Sequence, residues 1–162
     1  PVLEMLKLRL PEKFSGSICR IVNLSIDARE FLNSGSGQYH STRILDALER
    51  QGQNTDQDRL LGVTDLDLYV PNMNFIFGEA RMPGKVAVIS THRLKGVTDY
   101  GGEELFLGRT MKEAMHELGH TLGLKHCERS DCVMHFSNSL KDTDRKSEDY
   151  CGHCSKKLGR RR

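Results

Sequence analysis

The chain has 162 residues, 37% hydrophobic and 28% charged, enough for one domain that buries roughly 70% of the surface its unfolded form exposes. No apolar run approaches the roughly 18 residues of a membrane span, which excludes a helical membrane protein. The formal net charge of +2 owes its sign to the terminal KKLGRRR; so short a cluster is not the broad basic patch of a nucleic-acid binder, and it reads as a solvated, mobile end.

The opening VLEMLKLRL repeats its apolar residues at helical spacing. Glu4, Lys7 and Arg9 interrupt it, so it lacks the continuous apolar core of a secretory signal, and a cytoplasmic location is the expectation. SICRIVNLSI from Ser17 reads as a strand that holds Cys19 as a buried apolar residue. STRILDALER from Ser41 returns to helical spacing, with Ser41 or Thr42 placed to cap its first turn.

Three strands are expected next. VTDLDLYV sets Val63, Asp65 and Asp67 against Leu66, Leu68 and Val70; FIFGEAR and KVAVISTHRL follow, bounded by Gly and Pro. In GGEELFLGRTMKEAMHELGHTLGL the apolar set Leu105, Met111, Met115, Leu118 and Leu122 makes a long helix ending at Gly123. Near residue 126 this patterning gives way to polar residues and cysteines. The fold class expected is mixed α/β (α+β): one domain over 1–162, a twisted mixed β-sheet with helices packed on it, an upper subdomain over 1–123 and a lower, cysteine-rich subdomain over 124–162.

The long helix carries the chemistry. His116 and His120, four apart, project from one face about a turn from each other and can grip one ion, with Glu117 beside them. Gly123 supplies the positive φ that lets the helix stop and the chain reverse, which brings His126 back as a third ligand. Three ligands leave a fourth position open, the mark of a catalytic zinc whose bound water has a pKa near 7. Glu117 then takes the water's proton and passes it to the leaving amine.

A second group follows at once. Cys127 and Cys132 form CxxxxC, and Cys151 and Cys154 form CxxC, spacings that let a chain wrap a second, closed and structural zinc. Disulfides, a redox pair at Cys151 and Cys154, and His153 in place of one thiolate are the other readings of these residues. Because His126 adjoins Cys127, a closed cysteine site would anchor the third histidine of the open one.

HELGHTLGLKHC, ERSDCVM and CGHC, together with GQYHSTRIL and DLDLYVPNMNFIFGEA, resemble the archaemetzincins, a branch of the metzincin clan of zinc peptidases. The resemblance covers most of the chain. It implies a metzincin-like fold with His116, His120 and His126 on a catalytic zinc, Glu117 as base and acid, and Cys127, Cys132, Cys151 and Cys154 on a second zinc. It also implies that Met134, otherwise read as core filler, is the methionine of the turn beneath the catalytic zinc. Better-known metzincin branches have a tyrosine two residues later, where this chain has Phe136. Transition-state stabilisation then rests on the zinc and other donors.

The expected function is zinc-dependent hydrolysis of peptide bonds, of endopeptidase or aminopeptidase type. The expected partner is a peptide or protein substrate, with two zinc ions per chain, no nucleic acid, no membrane and a monomeric state. KVAVISTHRL is expected at the rim of the cleft with an edge free for a peptide, and His92 and Arg93 at its end as solvent-facing residues. The alternative is a zinc-containing peptide-binding module with little or no turnover.

Overall fold

The computed structural model describes residues 1–96 and 101–159. Helix α1 spans Val2–Lys13, a short 3-10 turn covers Ala28–Phe31, and strands β1 (Leu32–Asn33) and β2 (Gln38–His40) lead into α2 (Ser41–Gly52). Strands β3 (Leu60–Thr64), β4 (Leu68–Tyr69), β5 (Gly78–Ala80) and β6 (Val86–Ser90) precede the long α3 (Gly102–Thr121). Two short helices, α4 (Leu140–Arg145) and α5 (Gly152–Gly159), close the described chain. Among the described residues no helix is long and apolar enough to cross a membrane.

The strands form two three-stranded sheets, in the orders β1-β2-β4 and β3-β6-β5. In the second, β6 runs parallel to β3 and antiparallel to β5. All five residues of β6 are buried, because α2 packs on one of its faces and α3 on the other. Alternation divides them: Val86 and Val88 join Ile44, Leu45 and Leu48 of α2, whereas Ile89 joins Met111, Ala114, Met115 and Leu118 of α3. A strand covered on both sides reads as a continuous apolar run, as VAVI does. Leu6 and Leu10, four apart on α1, complete the second core against α3.

Several expectations are corrected. KVAVISTHRL is not a rim strand, because β6 is paired on both sides; the edge belongs to β5, which pairs only with β6 among the described residues. VTDLDLYV is two strands in two different sheets. The chain turns between them, where the Leu66 amide donates to Thr64 Oγ1 at 3.2 Å and the Tyr39 amide takes the Asp67 carbonyl at 2.8 Å.

SICRIVNLSI is irregular, with Ile18, Ile21 and Val22 exposed, because only Cys19, Leu24 and Ile26 pack against a core. Cys19 is therefore half-buried and off any strand. Neither Ser41 nor Thr42 caps α2: the cap position is His40, and Thr42 Oγ1 donates instead to Glu79 Oε1 at 2.8 Å. Lys156 and Lys157 of the terminal cluster lie exposed on α5; its residues 160–162 lie outside the described residues. His92 and Arg93 are exposed as expected, and Arg93 forks onto Asp67 at 2.7 Å while stacking over Phe75.

Candidate metal centres

Helix α3 places His116 and Glu117 in a nearly sealed position, each about 5% exposed, with His120 one turn on. The helix stops where expected: Gly123 has φ +87°, and its amide donates to the His120 carbonyl at 2.8 Å. The reversal carries His126 back, so the three imidazole centroids lie 4.7, 4.9 and 5.3 Å apart. Their ligand nitrogens all fall within 4.8 Å of one another.

The outer nitrogens decide the tautomers. His116 Nδ1 donates to the Val133 carbonyl and His120 Nδ1 to the Leu124 carbonyl, each at 2.7 Å. The protons are thereby assigned to Nδ1, and the Nε2 lone pairs face each other at 3.1 Å. Two lone pairs at that distance repel unless a cation lies between them, and zinc ligands on a tetrahedron with bonds of about 2.0 Å stand roughly 3.3 Å apart. The residues therefore fit a zinc ion.

Burial, then the Lys146 charge, holds the His116 pKa well below its ordinary range, and burial likewise lowers His120 and His126. Unprotonated imidazoles at neutral pH are what a metal needs. Glu117 is shifted the other way. Burial, then the neighbouring Glu113 carboxylate, pushes its pKa well above the usual carboxylate range. It accepts no hydrogen bond from any described residue and faces a cleft of about 560 Å³, lined also by the three histidines, Gly78, Phe77, Phe136 and Ser137.

The cysteines form a separate cluster. Cys127 Sγ lies 3.8 Å from Cys151 Sγ and Cys132 Sγ 3.9 Å from Cys154 Sγ, and all four sulfurs lie within 4.8 Å of one another. Bonds of about 2.3 Å to a tetrahedral zinc put sulfurs roughly 3.8 Å apart, whereas a disulfide needs about 2.05 Å. All four thiols are free, and His153 is exposed outside the group.

Met134 is fully buried, and its sulfur packs so closely on Gly119 that no side chain larger than hydrogen fits between them. The Cys127 amide donates to the Met134 carbonyl at 2.9 Å, and His135 Nδ1 to the Cys127 carbonyl at 2.8 Å. These bonds join the cysteine cluster to the turn beneath the histidines. Phe136, two residues past Met134, leans its ring on His126 with centroids 5.1 Å apart.

Three further residues belong to the site although the sequence does not single them out. Gly78 on β5 lets that strand approach Glu117. Glu113, one turn before Glu117, and Lys146, at the end of α4, form a buried ion pair beside the cleft at 3.3 Å. Glu113 carried a readable signal, a second carboxylate at i−4 on the same helical face; Gly78 and Lys146 carried none.

A long helix with two histidines and a glutamate, a glycine stop, a third histidine and a methionine turn, beside an edge strand, defines a metallopeptidase domain of the metzincin type. Residues 7–160 match peptidase family M54. The chain belongs to that family, the archaemetzincins. It is 44% identical over 163 aligned positions to the archaemetzincin of Methanocaldococcus jannaschii, covering 97% of this chain and 85% of that one. It is 48% identical over 124 positions to that of Methanopyrus kandleri, covering 76% and 67%.

Two crystal structures share the fold. The Methanopyrus kandleri archaemetzincin superposes with a TM-score of 0.83 at 39% identity, covering 99% of this chain and 85% of that one. The Archaeoglobus fulgidus archaemetzincin, complexed with malonate, does so with a TM-score of 0.80 at 39% identity, covering 96% and 91%. The family is one of zinc-dependent peptidases, and its substrates are peptides or proteins.

Proposed function

We propose that His116, His120 and His126 hold a catalytic zinc, that Glu117 is the general base and acid of peptide-bond hydrolysis, and that Cys127, Cys132, Cys151 and Cys154 hold a second, structural zinc. The observation that carries this reading is the facing pair of Nε2 lone pairs beside an unpartnered, buried carboxylate. When bound, the catalytic zinc supplies a Lewis acid at the open end of the histidine set.

The chain's own residues do the rest. Glu117, raised in pKa by burial, is suited to take a proton from the attacking water and return it to the leaving nitrogen. The carbonyls of Val133 and Leu124 keep the imidazoles oriented through the cycle. A substrate laid along the free edge of β5 is held by backbone hydrogen bonds, and Gly78 leaves room for its scissile bond to reach Glu117. Gly123 and Met134 are supporting residues: one turns the chain, the other fills the floor. On this reading the described residues of 1–123 form the roof of the cleft and those of 124–162 its zinc-braced floor.

The test is cleavage of a mixed peptide library by zinc-loaded protein, read by mass spectrometry beside Glu117→Ala. Cleavage by the first and not the second is expected. Cleavage by neither would instead favour a peptide-binding module, the reading that the missing hydroxyl at Phe136 supports.

A further inference from the structure

Glu113 is 3% exposed and lines the cleft beside Glu117. Its hydrogen bonds, from Thr143 Oγ1 at 3.2 Å and Lys146 Nζ at 3.3 Å, both arrive at Oε1 and leave Oε2 unengaged. Lys146 stands behind it with no exposed side-chain surface, and also donates to the His135 carbonyl at 3.2 Å. Ser137 lines the same cleft, and its hydroxyl is enclosed in the cleft wall without a partner. A buried ion pair is rarely a gain in stability over apolar packing, and here one oxygen of the pair takes neither bond in a residue that lines the site.

We propose that Glu113 and Ser137 form a specificity subsite that takes a neutral carboxamide side chain of the substrate, glutamine or asparagine, on the side of the scissile bond nearer the start of α3. The proposal rests on the peptidase reading above and names the substrate class of that same cleft.

Charge and hydrogen bonding select this occupant. Lys146 already neutralises Glu113, so an incoming lysine or arginine would lose its hydration against a pair with no net charge. An acidic side chain would lose its hydration against the same pair and would also meet the Glu117 carboxylate. An apolar one would expel water and leave Oε2 and the Ser137 hydroxyl without partners. A carboxamide satisfies both groups: its N–H donates to Oε2 and its oxygen accepts from Ser137 Oγ. Lys146 is the positioning residue, holding Glu113 while its second bond, to the His135 carbonyl, fixes the chain next to Met134.

The experiment uses the zinc-loaded Glu117→Ala chain, titrated by fluorescence anisotropy with host peptides that differ only in carrying glutamine, leucine, lysine or glutamate at each position in turn. At one position glutamine is expected to bind about tenfold tighter than leucine or lysine, the net effect of two hydrogen bonds, one of them to an ion-paired carboxylate. Adding Ser137→Ala is expected to narrow that ratio to about threefold. The paired change Glu113→Gln with Lys146→Met, which removes both charges and keeps the shape, is expected to narrow it as well.

Equal affinities, or a ratio that Ser137→Ala leaves intact, would overturn the subsite. The unaltered chain is assayed for cleavage of the same peptides. Binding preference without cleavage would overturn the peptidase reading and leave the subsite standing; cleavage without preference would do the reverse.

Discussion

A methyl group placed on Gly78 would stand 2.7 Å from Cγ of Glu117 and 2.8 Å from its Oε1 and from the Val88 carbonyl. Strand β5 and helix α3 are thus in contact at the one residue of that strand that lacks a side chain. Gly78→Ala is expected to displace the carboxylate and lower kcat by about 100-fold, the cost of misplacing a reacting group by about an ångström. Thermal unfolding is expected to show a loss of about 1–3 kcal/mol from overpacking. Unchanged kcat on a peptide found in the library experiment would show that Glu117 acts from another position.

Cys127 adjoins His126 and binds the Met134 carbonyl through its amide. On the proposed two-zinc reading, Cys127→Ser or Cys151→Ser is therefore expected to lower zinc content from two ions per chain toward none, because the unpinned turn no longer holds His126 in place. Elemental analysis of the purified variants decides this. Retention of one zinc together with full peptidase activity would show that the two centres are independent.

Tyr150 donates its hydroxyl to the Met115 carbonyl at 2.8 Å and packs its ring edge against Gly119. The segment that ends in Cys151 is bonded in this way to the middle of α3. Tyr150→Phe keeps the ring and loses the bond, and is expected to cost about 1 kcal/mol in urea denaturation of the zinc-loaded chain. A loss above about 3 kcal/mol would mean that the hydroxyl supports more than this one contact.

Arg109 forks onto Asp144 with both bonds at 2.7 Å, and these bonds hold the Asp144 carboxyl below its ordinary pKa. A carboxyl with a depressed folded-state pKa contributes stability that is complete above the unfolded value of about 3.9 and is lost as pH falls through the lower folded value. Asp144→Asn is expected to be less stable than the parent at pH 7, with the difference shrinking below about pH 4. Denaturation midpoints across that range are the check; a difference that stays constant with pH would remove the ion pair from the account.

The features of this molecule that were legible in the sequence are those whose spacing is dictated by one local geometry. His116 and His120 had to share a helical face, Gly123 had to end the helix, and the two cysteine pairs had to converge at the spacing that suits an ion. SICRIVNLSI misled because β-branched residues signal a strand only where another strand stands beside them, and Ile18 and Val22 meet solvent. VTDLDLYV misled because its alternation continues through a turn that transfers the chain between sheets. Lys146 was illegible, since a lysine in a polar stretch is ordinarily solvated; only the fold places it opposite Glu113.

Both imidazoles whose outer nitrogens are fixed are fixed by peptide carbonyls, those of Val133 and Leu124. Every amino acid brings the same carbonyl, so a substitution at either position changes packing and leaves the acceptor in place. The tautomers are inherited from the course of the backbone. Sequence drift can therefore rewrite the residues around the histidines without erasing the instruction that orients them, and only an insertion or deletion that reroutes the chain after α3 would remove it.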